Sequence, residues 1–273
     1  MNSPSDPHWG YFEINRMIKA VFFDLDGTLV SFKTHQIPQT TRKALDILQQ
    51  KGIKVFISTG RHKATIDNIG DWQPDGYVVL NGGMCVVNDE VLFERHIPDE
   101  DIQSLLTYLK EKEQFPCVFL LKDELIMNFE NQHSKDVFNY LNFAMPTVSS
   151  LEEASKEPVY ELLVVNTQEE QDRLMPFLPN CDFTRSHPHY GDVIPKGSNK
   201  AIGIQKVMDH FGLLKEETLA FGDGNNDLEM IKHVGVGVAM GNGSEALKDV
   251  ADMVTDSVDE DGVWNALKKL GLV

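Results

Sequence analysis

Two rhythms of apolar and polar positions alternate along the chain from residue 17 onward. Continuous apolar runs at 19–23, 53–58 and 77–80 predict strands buried on both faces. Over 39–51 the apolar residues Ala44, Leu45, Ile47 and Leu48 share one helical face, and Gly52 stops the helix. A short helix is expected over 62–70. The same rhythm returns near the end of the chain. A helix over 199–212 precedes a strand at 219–221, a helix at 227–233 and a strand at 236–240. A helix at 244–250, a short strand at 253–254 and a closing helix over 262–270 complete it. Strands that alternate with helices in this way predict a parallel sheet covered on both sides.

The middle of the chain follows another pattern. After a helix over 99–113, residues 116–129 read as two strands around a Lys-Asp-Glu turn. A helix at 132–143, a strand at 159–165, a helix at 168–178 and a hairpin-like pair at 181–194 follow. Adjacent hairpins imply an antiparallel sheet. The expected fold class is therefore α/β, a Rossmann-like parallel-sheet core with an inserted α+β domain. The core is expected over 17–83 and 189–273, the insert over 84–188, and a loosely ordered tail over 1–16.

The formal net charge of −17 argues against a nucleic-acid backbone or an anionic membrane surface as partner. It leaves room for a small anionic substrate, because a few local cations and a metal reverse the field inside a cleft. Cys85, Cys117 and Cys181 are far apart and form no CxxC pair, which fits buried free thiols and a cytoplasmic location. No apolar run approaches the ~20 residues of a membrane helix, and the first residues lack a signal-peptide pattern.

Candidate chemistry collects where strands end. Asp24 and Asp26 close the first strand, point the same way, and face the crevice where ligands of parallel sheets bind. Two such carboxylates need a counter-charge, and a hard divalent cation such as Mg²⁺ is the natural one; a helix cap or solvated turn is the plainer alternative. Gly27 permits the tight turn that follows. In GDGNND (222–227), Asp223 can supply a third carboxylate if its strand lies beside the first, whereas Asp227 alone reads equally as a helix N-cap. In STGR (58–61), Thr59 offers a hydroxyl and Gly60 lets backbone N–H groups approach a ligand. Arg61 suits either a phosphate or a surface carboxylate. In KGSNK (196–200), Lys196 or Lys200 can neutralise a phosphate. The acidic run DSVDEDG (256–262) lacks calcium-loop spacing and reads as a solvated turn.

As an ordered set, DLDGTL, STGR, the Lys200 region and GDGNNDLEM resemble the haloacid dehalogenase-like phosphatase superfamily, over nearly the whole chain after Met17. The insertion after STGR and NGG (81–83), and the ending VGVGVAMGNGSEALKDVADMVTDSVDEDGV, resemble its Cof-type sugar-phosphatase branch, which carries a large α/β cap at that place. The resemblance implies Mg²⁺-dependent hydrolysis of small phosphorylated metabolites, sugar phosphates among them, through an aspartyl-phosphate. It implies Asp24 as nucleophile and metal ligand. It makes Asp26 the general acid–base, with its backbone carbonyl on the metal. Thr59 becomes the hydroxyl that holds the transferring phosphoryl, with Gly60 and Arg61 in the same substrate-binding set. Lys200 becomes the phosphate lysine, with Lys196 as fallback. Asp223 is then a direct metal ligand, and Asp227 acts through a metal-bound water or by holding Lys200. Asn226 becomes a phosphate or loop-orienting contact. The chain departs from the family's pattern at Ser58, where Ala is more usual, and at Gly83, where NGA is commoner than NGG. Asn81, Gly82 and Gly83 are expected to begin the hinge into the cap (substrate-specificity) domain, whose inward side chains select the leaving group. His187, His189 and Asn128 are candidates for that selection, though ordinary hairpin polarity accounts for them as well. A phosphomutase of the same superfamily and a non-catalytic metabolite-binding or phospho-switch module are the rival functions.

Overall fold

The structure, a computed structural model, describes residues 18–273; the tail expected over 1–16 lies outside the described residues. The chain divides into two compact units. One joins the segment ending at Phe93 to Asn199–Val273, and the other is Glu94–Ser198. Along the first segment run strand β1 (Ala20–Phe23), helix α1 (Gln39–Gln50), and strands β2 (Lys54–Ser58), β3 (Gly76–Val79), β4 (Met84–Val87) and β5 (Glu90–Glu94). The inserted unit carries α2 (Asp99–Glu111), β6 (Cys117–Leu120), β7 (Leu125–Met127), α3 (Gln132–Leu141), β8 (Thr147–Val148) and α4 (Leu151–Ala154). It continues with β9 (Glu161–Val164), α5 (Gln168–Leu174), β10 (Cys181–His187) and β11 (Tyr190–Pro195). The last segment supplies α6 (Lys200–Phe211), β12 (Thr218–Gly222), α7 (Leu228–His233), β13 (Val236–Ala239), α8 (Glu245–Lys248), β14 (Met253–Val254) and α9 (Gly262–Lys269).

The first unit is built on an eight-stranded sheet in the order β14-β13-β12-β1-β2-β3-β4-β5. Pairing is parallel from β14 to β3, and β4 turns back antiparallel to β3. Side chains of β1 alternate between two apolar layers, as the pleat requires. Val21 and Phe23 pack with Leu45, Leu48 and Leu267 on the α1/α9 side. Ala20 and Phe22 pack with Ile204, Val207 and Met230 on the α6/α7 side. The phenyl rings of Phe22 and Phe56 stack at 5.0 Å on one side, and those of Phe23 and Phe221 at 4.9 Å on the other. Such a doubly covered centre leaves only the strand ends for polar chemistry.

The inserted unit has a six-stranded sheet in the order β10-β11-β9-β6-β7-β8, antiparallel except for the β7–β8 pair. Ile102, Leu105 and Leu109 of α2 pack on Phe119, Leu162 and Val193 from one sheet face. It is an α+β cap of the kind expected.

Two local features differ from the expected outline. The units part at 93/94 and 198/199 rather than at 83/84 and 188/189. The cause is that β4 and β5 extend the first sheet, while β10 and β11 belong wholly to the second. The helix expected over 62–70 shrinks to one 3₁₀ turn at Lys63–Thr65, headed by the His62 side chain, which accepts a bond from Ala64 N–H. Among the described residues, no helix is long and apolar enough to cross a membrane.

Candidate active site

Asp24 follows β1 directly and shares the parity of Phe22, so its side chain emerges on the α6 side of the sheet. Its backbone N–H continues the ladder by donating to Phe221 O at 2.9 Å. The carboxylate is buried, at 6% exposure. Burial, and then the charge of Asp227, push its pKa well up, against the opposing pull of Lys200.

Lys200 is the first residue of α6, whose N-cap is Asn199. It is wholly buried, and its Nζ donates to Asp24 Oδ1 and to Asp227 Oδ1, each at 2.5 Å. Burial alone disfavours the ammonium, but the charges of Asp227 and Asp24 outweigh it and move the lysine upward. The second oxygen of Asp227 accepts the backbone N–H groups of Asp223 and Gly224, both at 2.9 Å. Asp227 precedes α7 yet makes no side-chain capping bond to it; it reaches backward and fastens the GDGNND loop instead. A Cβ on Gly222 would lie 2.6 Å from the Asp227 side chain, so this close approach requires glycine.

Asp223 leaves β12, the strand parallel to β1, one position beyond the register partner of Asp24. Thr28 Oγ1 donates to its Oδ1 at 3.2 Å, and Asn242 Nδ2 to its Oδ2 at 3.3 Å. Gly27, at φ +80°, turns the chain beneath it; a Cβ there would stand 2.2 Å from Asp223 Oδ2. Burial, then the charge of Asp227, raise its pKa to about 6. Oxygens of Asp24, Asp223 and Asp227 all lie within 4.8 Å of one another. When ionised, the three carboxylates outnumber the one buried ammonium by two charges. An all-oxygen donor set with that imbalance fits a hard divalent cation.

Asp26 is held elsewhere. Arg61 Nε donates to its Oδ2 at 2.7 Å and Nη2 to its Oδ1 at 2.6 Å. Its carboxylate is not one of the three that converge. Of the two partners that suited Arg61, the structure supplies a carboxylate, in a bidentate fork that a phosphate would also fit. Thr59 is buried, donates its N–H to Val78 O, and accepts Arg61 N–H on its hydroxyl at 3.1 Å. Gly60 packs against Asn81, whose amide oxygen would lie 3.0 Å from a Cβ at residue 60. Asn226 Nδ2 reaches the same Asn81 oxygen at 3.5 Å. Thus Thr59, Gly60, Asn81 and Asn226 form one polar group, and Asp24, Lys200, Asp223 and Asp227 another, within the same unit.

Other candidates have different surroundings. Lys196 belongs to the inserted unit, is exposed, and its Nζ reaches Pro179 O at 3.5 Å. Asn128 spends its amide on the backbone of Cys117, Phe129 and Phe115, fastening the β6–β7 pair. His187 stacks on Tyr190 at 5.2 Å, and His189 N–H turns toward its Nδ1 at 3.3 Å. Asn242 was not singled out in the sequence; only its long-range hydrogen bonds reveal it.

A family of haloacid dehalogenase-like hydrolases matches residues 21–267. The 5-amino-6-(5-phospho-D-ribitylamino)uracil phosphatase YitU of Bacillus subtilis is 31% identical, over 91% of this chain and 96% of its own length. The structure of BT4131, a HAD subclass IIB sugar phosphatase, superposes with a TM-score of 0.84 at 40% identity, covering 93% of this chain and 100% of its own. BT1666, a HAD phosphatase from Bacteroides thetaiotaomicron, gives a TM-score of 0.87 at 34% identity, with 100% of both chains covered.

Proposed function

The chain belongs to the haloacid dehalogenase-like hydrolases and is a phosphatase of that family, and we propose that it hydrolyses small phosphorylated cytoplasmic metabolites, sugar phosphates first among them, through an aspartyl-phosphate on Asp24. The observation that carries this reading is Lys200 bridging Asp24 and Asp227 beside Asp223. A carboxylate approaching a phosphate dianion meets charge repulsion, so a nucleophile of this kind needs cations within bonding reach.

Mg²⁺ fits the donor set: Asp24 and Asp223 would hold it, with Asp227 behind them through Lys200, and the family resemblance adds the backbone carbonyl of Asp26. When bound, it supplies charge neutralisation at the phosphoryl oxygens. Asp24 attacks phosphorus while the bond to the leaving oxygen breaks, and Asp26, protonated once it leaves its fork to Arg61, gives that oxygen a proton. Water then attacks the aspartyl-phosphate and passes a proton to Asp26, which frees inorganic phosphate and restores Asp24. Lys200 remains paired with the nucleophile throughout and offsets charge as the phosphoryl arrives. Thr59, with Gly60 and Asn226, orients that phosphoryl, and Arg61 keeps Asp26 on the correct side of the turn.

The test is phosphate release from p-nitrophenyl phosphate with Mg²⁺ present. Asp24→Asn should lower the rate by about 10³-fold or more, the loss typical of a removed nucleophile. A wild-type-like rate in that variant refutes the assignment. A panel of sugar phosphates then separates hydrolysis from its rivals: a mutase gives isomerised product without free phosphate, and a binding module gives saturation without release.

A further inference from the structure

Asn242 lies in the loop after β13, 215 residues from the nucleophile turn, yet its Nδ2 donates to Gly27 O at 2.9 Å. The same nitrogen reaches Asp223 Oδ2 at 3.3 Å. An amide nitrogen has two hydrogens to give, and here it has two acceptors. The orientation of the amide is fixed from its other end, because Val258 N–H donates to Oδ1 at 2.9 Å. A flipped amide would set an oxygen against both the Gly27 carbonyl and the Asp223 carboxylate.

The surroundings leave Asp223 little freedom apart from this contact. Thr28 holds its Oδ1. Its Oδ2 rests where a Cβ of residue 27 would be, and Ser244 N–H holds its backbone carbonyl at 2.9 Å. One side chain therefore ties together the turn after the nucleophile, the third carboxylate and the 255–262 loop. That loop is fastened separately by Ser31 Oγ and Lys33 Nζ, both on Asp259, at 2.6 and 2.8 Å. The acidic run that reads as a solvated turn is thus the outer end of a brace.

We propose that Asn242 is a positioning residue for the divalent cation, acting through Asp223: its amide sets the rotamer of that carboxylate and ties it to the backbone of the nucleophile turn. This rests on the reading of Asp223 as a metal ligand. Removing an outer hydrogen-bond partner of a ligating group typically weakens metal binding by 10–100-fold.

The experiment is a titration of the full chain with Mn²⁺, followed by electron paramagnetic resonance without substrate, with Mg²⁺ as competitor. Asn242→Ala should weaken Mn²⁺ binding by about 10-fold, and Asp223→Asn by about 100-fold or more. Asn242→Ser, too short to span to Asp223, should behave like Asn242→Ala. Ser31→Ala cuts the neighbouring tie to Asp259 and should leave the affinity within about twofold of wild type. Wild-type affinity in both Asn242 variants, with Asp223→Asn impaired, overturns the proposal and spares the metal reading. Unchanged affinity in Asp223→Asn overturns both. Equal weakening by Ser31→Ala and Asn242→Ala also overturns it, since the loop as a whole would then be responsible.

Discussion

Lys200 in the core and Arg185 in the cap are both held by dense hydrogen bonding, and they are treated in opposite ways. Lys200 sits between two carboxylates, which raise its pKa despite burial. Arg185 Nε donates to Gln171 Oε1, and Nη2 to Asn166 Oδ1 and Thr167 O. Its Nη1 reaches the carbonyls of Asn166, His187, Pro188 and Tyr190 at 3.0–3.3 Å. Among the described residues it has no ion pair with a carboxylate, and burial draws its pKa down, with Asp172 and Glu170 opposing from a distance. A cation spread over carbonyl dipoles fixes a backbone shape, here the irregular end of the β10–β11 hairpin. A cation shared between acids leaves a charge balance that an arriving anion can change. The first arrangement is architecture and the second is chemistry.

That distinction is sharpest in Lys200→Met. Two buried acids would lose their cation, a change that costs about 3–5 kcal/mol, and phosphate release should fall to background. Thermal unfolding and the release assay measure the two effects; a stable, active variant would erase the contrast. Arg185→Met should cost less, about 1.5–3 kcal/mol, the range for hydrogen bonds to a charged group. Faster hydrogen exchange at 187–190 should accompany it. Arg185→Lys should recover little of the loss, because an ammonium cannot span the fork. If lysine restores wild-type stability, the charge matters there more than the shape.

An effect confined to one pH range concerns an acid on β11, beyond the turn that Arg185 holds. Burial raises Asp192 from 3.8 to about 7. Between those values the folded chain keeps a proton that the unfolded chain has shed, so stability falls as pH rises through the window. Asp192→Asn should therefore gain nothing near pH 3.5 and most above pH 7, where a rise of about 2–4 °C in Tm corresponds to about 1 kcal/mol. Equal Tm differences at both pH values would show that burial does not govern this side chain.

The parts of the fold that could be read in the sequence are those fixed by local pattern. Apolar runs located β1, β2, β3 and β12, and the residue after each of β1 and β12 is an acid of the site. The cap's β6–β7 hairpin was equally plain, because apolar runs flank a polar turn. The β4–β5 strands were missed, although Asn88 and Asp89, both at positive φ, are the residues such a two-residue turn prefers. What could not be read were partners distant in sequence. Arg61 had two equally suitable partners until Asp26, 35 residues away, proved to be the one it meets. Asn242 in MGNG looks like any turn, and the carbonyls around Arg185 carry no residue signature at all. Ser58, where the family more often has Ala, buries a hydroxyl without a hydrogen-bond partner; nothing in the structure explains that exchange.

The core unit is assembled from both ends of the chain, and this sets when it can work. During synthesis Asp24 emerges early, but β1 waits between β2 and a neighbour, β12, that begins only at Thr218. The ammonium and two of the three converging acids come later than the entire cap. At about 5–20 residues per second, roughly ten seconds or more of translation separate the first of the three converging carboxylates from the last. A chain that stops anywhere in the cap therefore carries Asp24 without Lys200, Asp223 or Asp227 beside it.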